Sequence, residues 1–207
     1  MVIKQEVFIN FEKEYQNVFS SFYPSLEGTG FQERNLSVNF SKAYEKAYPN
    51  DNVFSWFELQ FPNDKGELVN HFDCLIINIT KKEIFFVEAK RFKSAKRQEE
   101  RSKKDITRIK SFVENRFSKD IRFQDFQDFQ LYGLILADVW QESPSKIKLY
   151  KKFLNEEIFK DMISKDKYML YKTIKFNYKE NEMDYNRINS LKESLCEYDL
   201  LAFLWKL

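Results

Sequence analysis

Two carboxylates and a lysine carry the chemistry most legible in this chain of 207 residues. The segment HFDCLIINITKKEIFFVEAK puts Asp73 inside one apolar run, and Glu88 and Lys90 at the end of the next. Apolar strands exclude charge, because an unpaired buried carboxylate or ammonium is costly. Charges gathered at the ends of two such runs therefore mark a candidate site. Two carboxylates can hold a hard divalent cation, Mg2+ or Mn2+, which takes oxygen ligands and leaves room for water and a substrate phosphate. Such a cation polarises the phosphate and acidifies a bound water. A lysine beside it can position that water or offset charge in the transition state. The competing reading is a surface ion pair at a sheet end, which contributes little.

The elements that must position these groups are two strands and a turn. Side chains alternate faces along a strand. Ile84, Phe86, Glu88 and Lys90 then share one face, and Phe85, Val87 and Ala89 the other, which is expected to be core. His71, Asp73, Leu75 and Ile77 share a face against Phe72, Cys74 and Ile76. Thr80-Lys81-Lys82-Glu83 reads as a polar hairpin connection, making the strands antiparallel neighbours. A turn near residue 81 sets Asp73 opposite a position near Lys90.

Around this hairpin, apolar spacing predicts helices over 4–20 and 31–48, a strand over 53–61, and the hairpin strands over 69–79 and 84–90. A helix over 96–117 follows, with Ile106, Ile109, Phe112 and Val113 inward. The continuous apolar run 131–137 reads as a central strand. Further on, a helix over 146–163, a strand over 170–178, a short helix over 187–196 and the apolar end LLAFLWKL complete the chain. Pro24, Gly28 and Gly30 mark a loop. The whole, 1–207, reads as one α/β domain, with a core over 31–137 and a C-terminal extension over 145–207.

Asp-(X)n-Glu-X-Lys on consecutive strands resembles the signature of the PD-(D/E)XK nucleases, with Phe72 where the pattern has proline. The order helix, strand, strand, strand, helix, strand is similar to that superfamily's αβββαβ core. The resemblance covers about the first two-thirds of the chain. It implies a restriction endonuclease-like fold: a mixed central sheet flanked by helices, here with an extra N-terminal helix and C-terminal α/β elements. It further implies that Asp73 and Glu88 bind the metal and that the backbone carbonyl of Ala89 adds a ligand. A glutamate on the helix before the first core strand is implied to join them. Glu33 is the candidate, with Glu45 on the same helix as the alternative. The helix after the third strand is implied to carry polar residues near the site. Gln98, Arg101, Lys104 and Arg108, at helical spacing, are the candidates to contact phosphates. The competing readings are a dipole-complementing acid for Glu33 and a solvated helix face for the four. Glu58 and Gln60 share a strand face with Trp56 and either line the cleft or stay solvated. His71, the one histidine, lies on the face of Asp73, and no hydrolase triad can be built around it.

Net charge is +2, which points to no partner by itself. Distribution says more: residues 90–110 hold ten Lys or Arg against Glu99, Glu100 and Asp105, a basic stripe in a nearly neutral chain. Of the aromatic residues, 22 are phenylalanine, and their periodic placement reads as core. Cys74 and Cys196 have no zinc or redox spacing, so two reduced thiols are expected. No signal-peptide layout or membrane-spanning run is present, and a cytoplasmic location follows by default. The expectation is therefore a metal-dependent DNA endonuclease of restriction, repair or phage-defence type, with a homodimer as the way to cut both strands. Two readings stand beside it: an RNA-cleaving enzyme on the same scaffold, and an inactive nuclease-like module that binds nucleic acid or protein.

Overall fold

The structure, a computed structural model, describes residues 3–22, 33–62, 66–68, 70–92, 95–140, 162–163, 168–172, 176–177 and 197–207. The expected loop at 24–30, the helix over 187–196 and, but for Met162 and Ile163, the helix over 146–163 lie outside these residues. Among the described residues the order is α1 (Gln5–Phe22), α2 (Glu33–Ala47), β1 (Val53–Phe61), β2 (Asn70–Asn78), β3 (Glu83–Phe92), α3 (Ala95–Asn115) and β4 (Gln130–Trp140). Two short 3-10 turns link α3 to β4, and β5 (Tyr168–Lys172), β6 (Phe176–Asn177) and β7 (Glu197–Lys206) follow. The strands form one mixed sheet in the order β1-β2-β3-β4-β7-β5, with β6 also paired to β7. Among the described residues only β3 and β4 pair in parallel, joined through α3, and the other pairs are antiparallel. The fold is thus α/β with helices on both faces of the sheet.

Both sheet faces are core. Phe85, Val87 and Ala89 pack with Cys74, Ile76 and Leu134 beneath α1 and α2. Ile84 and Phe86, on the other face of β3, are equally buried, against Ile106, Ile109 and Phe112 of α3. A strand covered on both sides reads as a near-continuous apolar run, which is why IFFVEAK alternates so weakly. Phe86 and Phe112 centre an aromatic cluster with Phe61, Phe72, Phe117 and Phe123, at ring separations of 4.5–6.5 Å. This accounts for part of the phenylalanine content as packing.

β4 is central, as its unbroken apolar run predicts. The apolar end of the chain, given no element from sequence, is β7 and lies against β4 through a ladder from Tyr132–Lys206 to Trp140–Tyr198. Gly133 pairs with Trp205, and a Cβ there would fall inside the Trp205 indole. Gly133→Ala is therefore expected to destabilise the protein by about 1–3 kcal/mol through overpacking. Urea unfolding checks this, with Trp205→Leu in the same chain expected to recover part of the loss.

Candidate metal centre

The strand alternation breaks at one place, and that place is the site. In β1, Val53 and Phe57 pack on the α1–α2 side, but Leu59 and Phe61 pack on the α3 side. The residue between, Glu58, has φ of 54°, a left-handed conformation that bulky non-glycine residues seldom adopt. In β2, Phe72 packs on the α3 side and Cys74 on the other. The expected sharing of a face by Phe72, Cys74 and Ile76 is thus corrected: the strand turns over at Asp73. The β1–β2 ladder pairs residues on either side of Glu58 and Asp73 but omits those two. Glu58 therefore turns toward the rim of the site, while Gln60, alternating with Leu59 and Phe61, does not.

β2 also leaves β3 at this point. The observed register runs from Asn78–Glu83 to Cys74–Val87 and stops there. One step further would put Asp73 across from Glu88, one residue before the position that a turn at residue 81 gives, because the turn is centred between Thr80 and Lys81. Beyond the last pair, the Ala89 N–H has no ladder partner from β2. It donates to Asp73 Oδ2 at 2.6 Å instead. The Arg91 N–H, two residues on and so directed to the same side, donates to Glu33 Oε1 at 3.0 Å. Asp73 and Glu33 thus cap successive N–H groups along one strand edge, about 7 Å apart at strand rise. Glu33 is placed beside the site by α2; Glu45 accepts from Ser41 and stays exposed.

Glu88 is almost fully buried, at 1% exposure, and Lys90 is buried beside it. Lys90 Nζ lies 3.6 Å from Glu88 Oε2 and 2.9 Å from Asp105 Oδ2. Arg108 Nη2 lies 2.5 Å from Glu88 Oε1 and 2.9 Å from Asp105 Oδ1. Glu88 Oε1 and Asp105 Oδ2 make these ion contacts without a well-directed hydrogen bond. At the outer edge, His71 Nε2 is 3.8 Å from Asp73 and 3.5 Å from Glu58, which also pairs with Arg34 at 3.1 Å. So the structure joins Asp73, Glu88, Lys90 and Arg108. Arg108 is here a partner of buried carboxylates as well as a residue of the helix face. Arg101 and Lys104 are exposed on α3, and the Gln98 side chain lies outside the described residues. Asp105, missed from sequence, completes the cluster. Asp138, also missed, is buried on β4 and sits 3.8 Å from Arg91.

Charge balance decides what this cluster wants. Asp73, Glu88 and Asp105 face Lys90 and Arg108, three carboxylates against two cations. Burial, with the nearby Asp73 charge, pushes the Glu88 carboxyl up to about 8 despite Arg108 and Lys90. Burial also raises Asp73, against the pull of Lys90 and the Ala89 N–H. Lys90 goes the other way: burial disfavours its charge, but Glu88, Asp105 and Asp73 outweigh it and hold the ammonium above its usual range. Lys90 is thus held in its charged form beside these carboxylates. The donor set is oxygen only and short of positive charge, which fits a hard divalent cation on Asp73 and Glu88. Among the described residues no group of three or more His, Cys, Asp or Glu side chains is arranged to hold a metal. A cation held by two carboxylates would complete its shell with water, as Mg2+ commonly does.

Arg108→Ala is expected to cost about 3 kcal/mol at pH 8.5, because it leaves Glu88 buried with one fewer cation. The loss shrinks at pH 5.5, where Glu88 is protonated. Denaturant unfolding at the two pH values reads this directly.

Comparison with known proteins returns no family model, no curated protein and no solved structure that matches this chain. The fold and this cluster define an α/β protein with a buried acidic–basic centre. Among the described residues no helix is long and apolar enough to cross a membrane.

Proposed function

We propose that the chain is a metal-dependent nuclease of the PD-(D/E)XK, restriction endonuclease-like type that hydrolyses phosphodiester bonds in DNA. The observation that carries this is the charge deficit of the Asp73–Glu88–Lys90–Asp105–Arg108 cluster. With all five ionised its charge is −1. A divalent cation turns that to +1, which a phosphodiester monoanion then neutralises. The order α2-β1-β2-β3-α3-β4, with β3 and β4 parallel, is in keeping with the superfamily core.

In this reading Asp73 and Glu88 hold Mg2+ or Mn2+, with the Ala89 carbonyl adding an oxygen and Glu33 close by. The cation supplies charge stabilisation and an acidified water. Asp73 is oriented for this by the Ala89 N–H, which fixes one carboxylate oxygen and leaves the other toward the rim. Lys90 donates toward charge developing on the phosphate, and Asp105 holds it in place at 2.9 Å. Burial under α3 works against an ionised Glu88, so Arg108, Lys90 and a bound cation would together be needed to hold it as the carboxylate. A homodimer would supply two such sites for two strands.

The test is cleavage of supercoiled plasmid, linear duplex, single-stranded DNA and RNA with Mg2+, Mn2+ or EDTA. Metal-dependent cutting of DNA is expected. Cutting of RNA alone would keep the site and change the substrate. A folded protein that cuts none of them in either metal would overturn the reading.

A further inference from the structure

A basic groove opens where β1 ends and β2 begins, against the solvent side of α3. Its volume is about 540 Å³, and it is lined by Lys103, Lys104, Thr107, Arg108, Ser111 and Arg116 of α3 and its end. Phe61 and Phe112 form its floor. None of the residues lining it is acidic. A second hollow of about 450 Å³ shares Pro62, Phe112 and Arg116 with the first and adds Lys119. The one acid there, Asp120, is held by Arg122 at 2.6 Å. Of the acids on α3, Asp105 is held by Lys90 and Arg108 at 2.9 Å each, and Glu99 is paired to Lys103 at 3.1 Å. Lys104 and Arg108, four apart, stack on one face of α3, and Arg116 follows just past the end of the helix at Asn115. From Lys103 to Arg116 this face runs about 20 Å at 1.5 Å per residue. Backbone phosphates of one duplex strand recur about every 3.4 Å of axis, so several fit along it.

Arg108 ties this groove to the buried cluster. The same guanidinium that touches Glu88 at 2.5 Å lines the groove. A chain lying in the groove therefore ends at the acidic site.

We propose that this groove holds the sugar–phosphate backbone of a nucleic acid, flanking the phosphodiester presented to Asp73, Glu88 and Lys90. The proposal rests on the nuclease reading. Thr107 and Ser111 supply neutral donors between the cations, and the apolar floor meets sugar edges rather than phosphate. Contacts of this type give affinity without sequence choice.

The test measures binding, not cutting. Fluorescent duplex DNA, single-stranded DNA and RNA of equal length are titrated in EDTA across a range of KCl concentrations. The proteins are Asp73→Asn as background, the same chain with Lys104→Ala and Arg116→Ala, and the same chain with Lys42→Ala. Lys42 is exposed on α2, on the other side of the sheet. Each lost phosphate contact removes about one unit of salt slope. The Lys104→Ala/Arg116→Ala protein is expected to lose about two units, and on the order of fiftyfold affinity at 0.1 M salt. Lys42→Ala is expected to match the background. An equal slope for all three proteins overturns the groove, as does absence of binding by any of them to all three nucleic acids. Salt-dependent binding through Lys104 and Arg116 by a protein that never cuts would overturn the nuclease reading and leave the groove standing.

Discussion

Asp73→Asn is expected to lower metal-dependent cleavage by at least about a thousandfold while leaving the fold in place. A bound divalent cation contributes several kcal/mol of charge stabilisation, and about 4 kcal/mol corresponds to a thousandfold in rate. Asparagine removes half of the anionic donor set. It keeps what the fold needs from this position, since an amide oxygen can still accept the Ala89 N–H that Asp73 accepts at 2.6 Å. The strand edge where β2 turns away therefore stays capped. Nicking rates with Mn2+, taken beside thermal unfolding of the same preparations, separate the two roles. A large loss of both would assign Asp73 to the fold; no loss of cutting would remove it from the metal.

The second expected result is a metal-free protein that weakens as pH rises from about 5 to about 8. Glu88 is the cause. Burial holds its folded-state carboxyl near 8, above the ordinary value of 4.5. A carboxyl raised on folding keeps its proton over a range in which the unfolded chain has released it. Stability from this group is thus complete below about pH 4.5, declines across the window, and is gone above about pH 8. The half-buried carboxyls of Asp73 and Glu83 are shifted in the same direction. The expected loss is on the order of a few kcal/mol. Glu88→Gln should flatten the profile, because it leaves Asp73 and Asp105 balanced by Lys90 and Arg108. Mn2+ should restore wild-type stability above pH 8 and do little for Glu88→Gln. Chemical unfolding at pH 5.5, 7 and 8.5 measures all of this. A wild-type profile that rises with pH would mean that Arg108 and Lys90 already satisfy Glu88.

The trio was legible because charge inside apolar runs violates the pattern of a buried strand. The same rule applied to LYGLILADVW would have found Asp138, which ends its run as Asp73 interrupts another. Asp105 was hidden by its neighbours: in a stripe of Lys and Arg it read as a solvated acid. Its helical phase gives it away, since Ser102, Asp105, Ile109 and Phe112 all fall on the buried side of α3. Arg108 follows from Asp105 at a spacing of three. The turnover at Glu58 and Asp73 had no signal, because nothing local in WFELQF asks a glutamate for a positive φ. It is imposed from outside, by the need to bury Leu59 and Phe61 against α3 and Phe57 against α2. The register lies one residue from that of a turn at residue 81 for a related reason: the turn residue Lys82 takes φ of 55°, and hairpin phase depends on such turns. β7 was passed over as an apolar tail, although LLAFLW is the kind of unbroken run that marked β4.

The most direct measurement places wild type and Glu88→Gln side by side, each assayed for cleavage of its best substrate at pH 8.5 with Mg2+, Mn2+ and EDTA, with unfolding followed on the same samples. Metal-dependent cutting by wild type, none by Glu88→Gln, and a metal-free melting temperature for Glu88→Gln at or above that of wild type are expected. Equal cutting by both proteins, or wild-type cutting that persists in EDTA, would contradict the assignment of Asp73, Glu88 and Lys90 as a metal-dependent phosphodiesterase site.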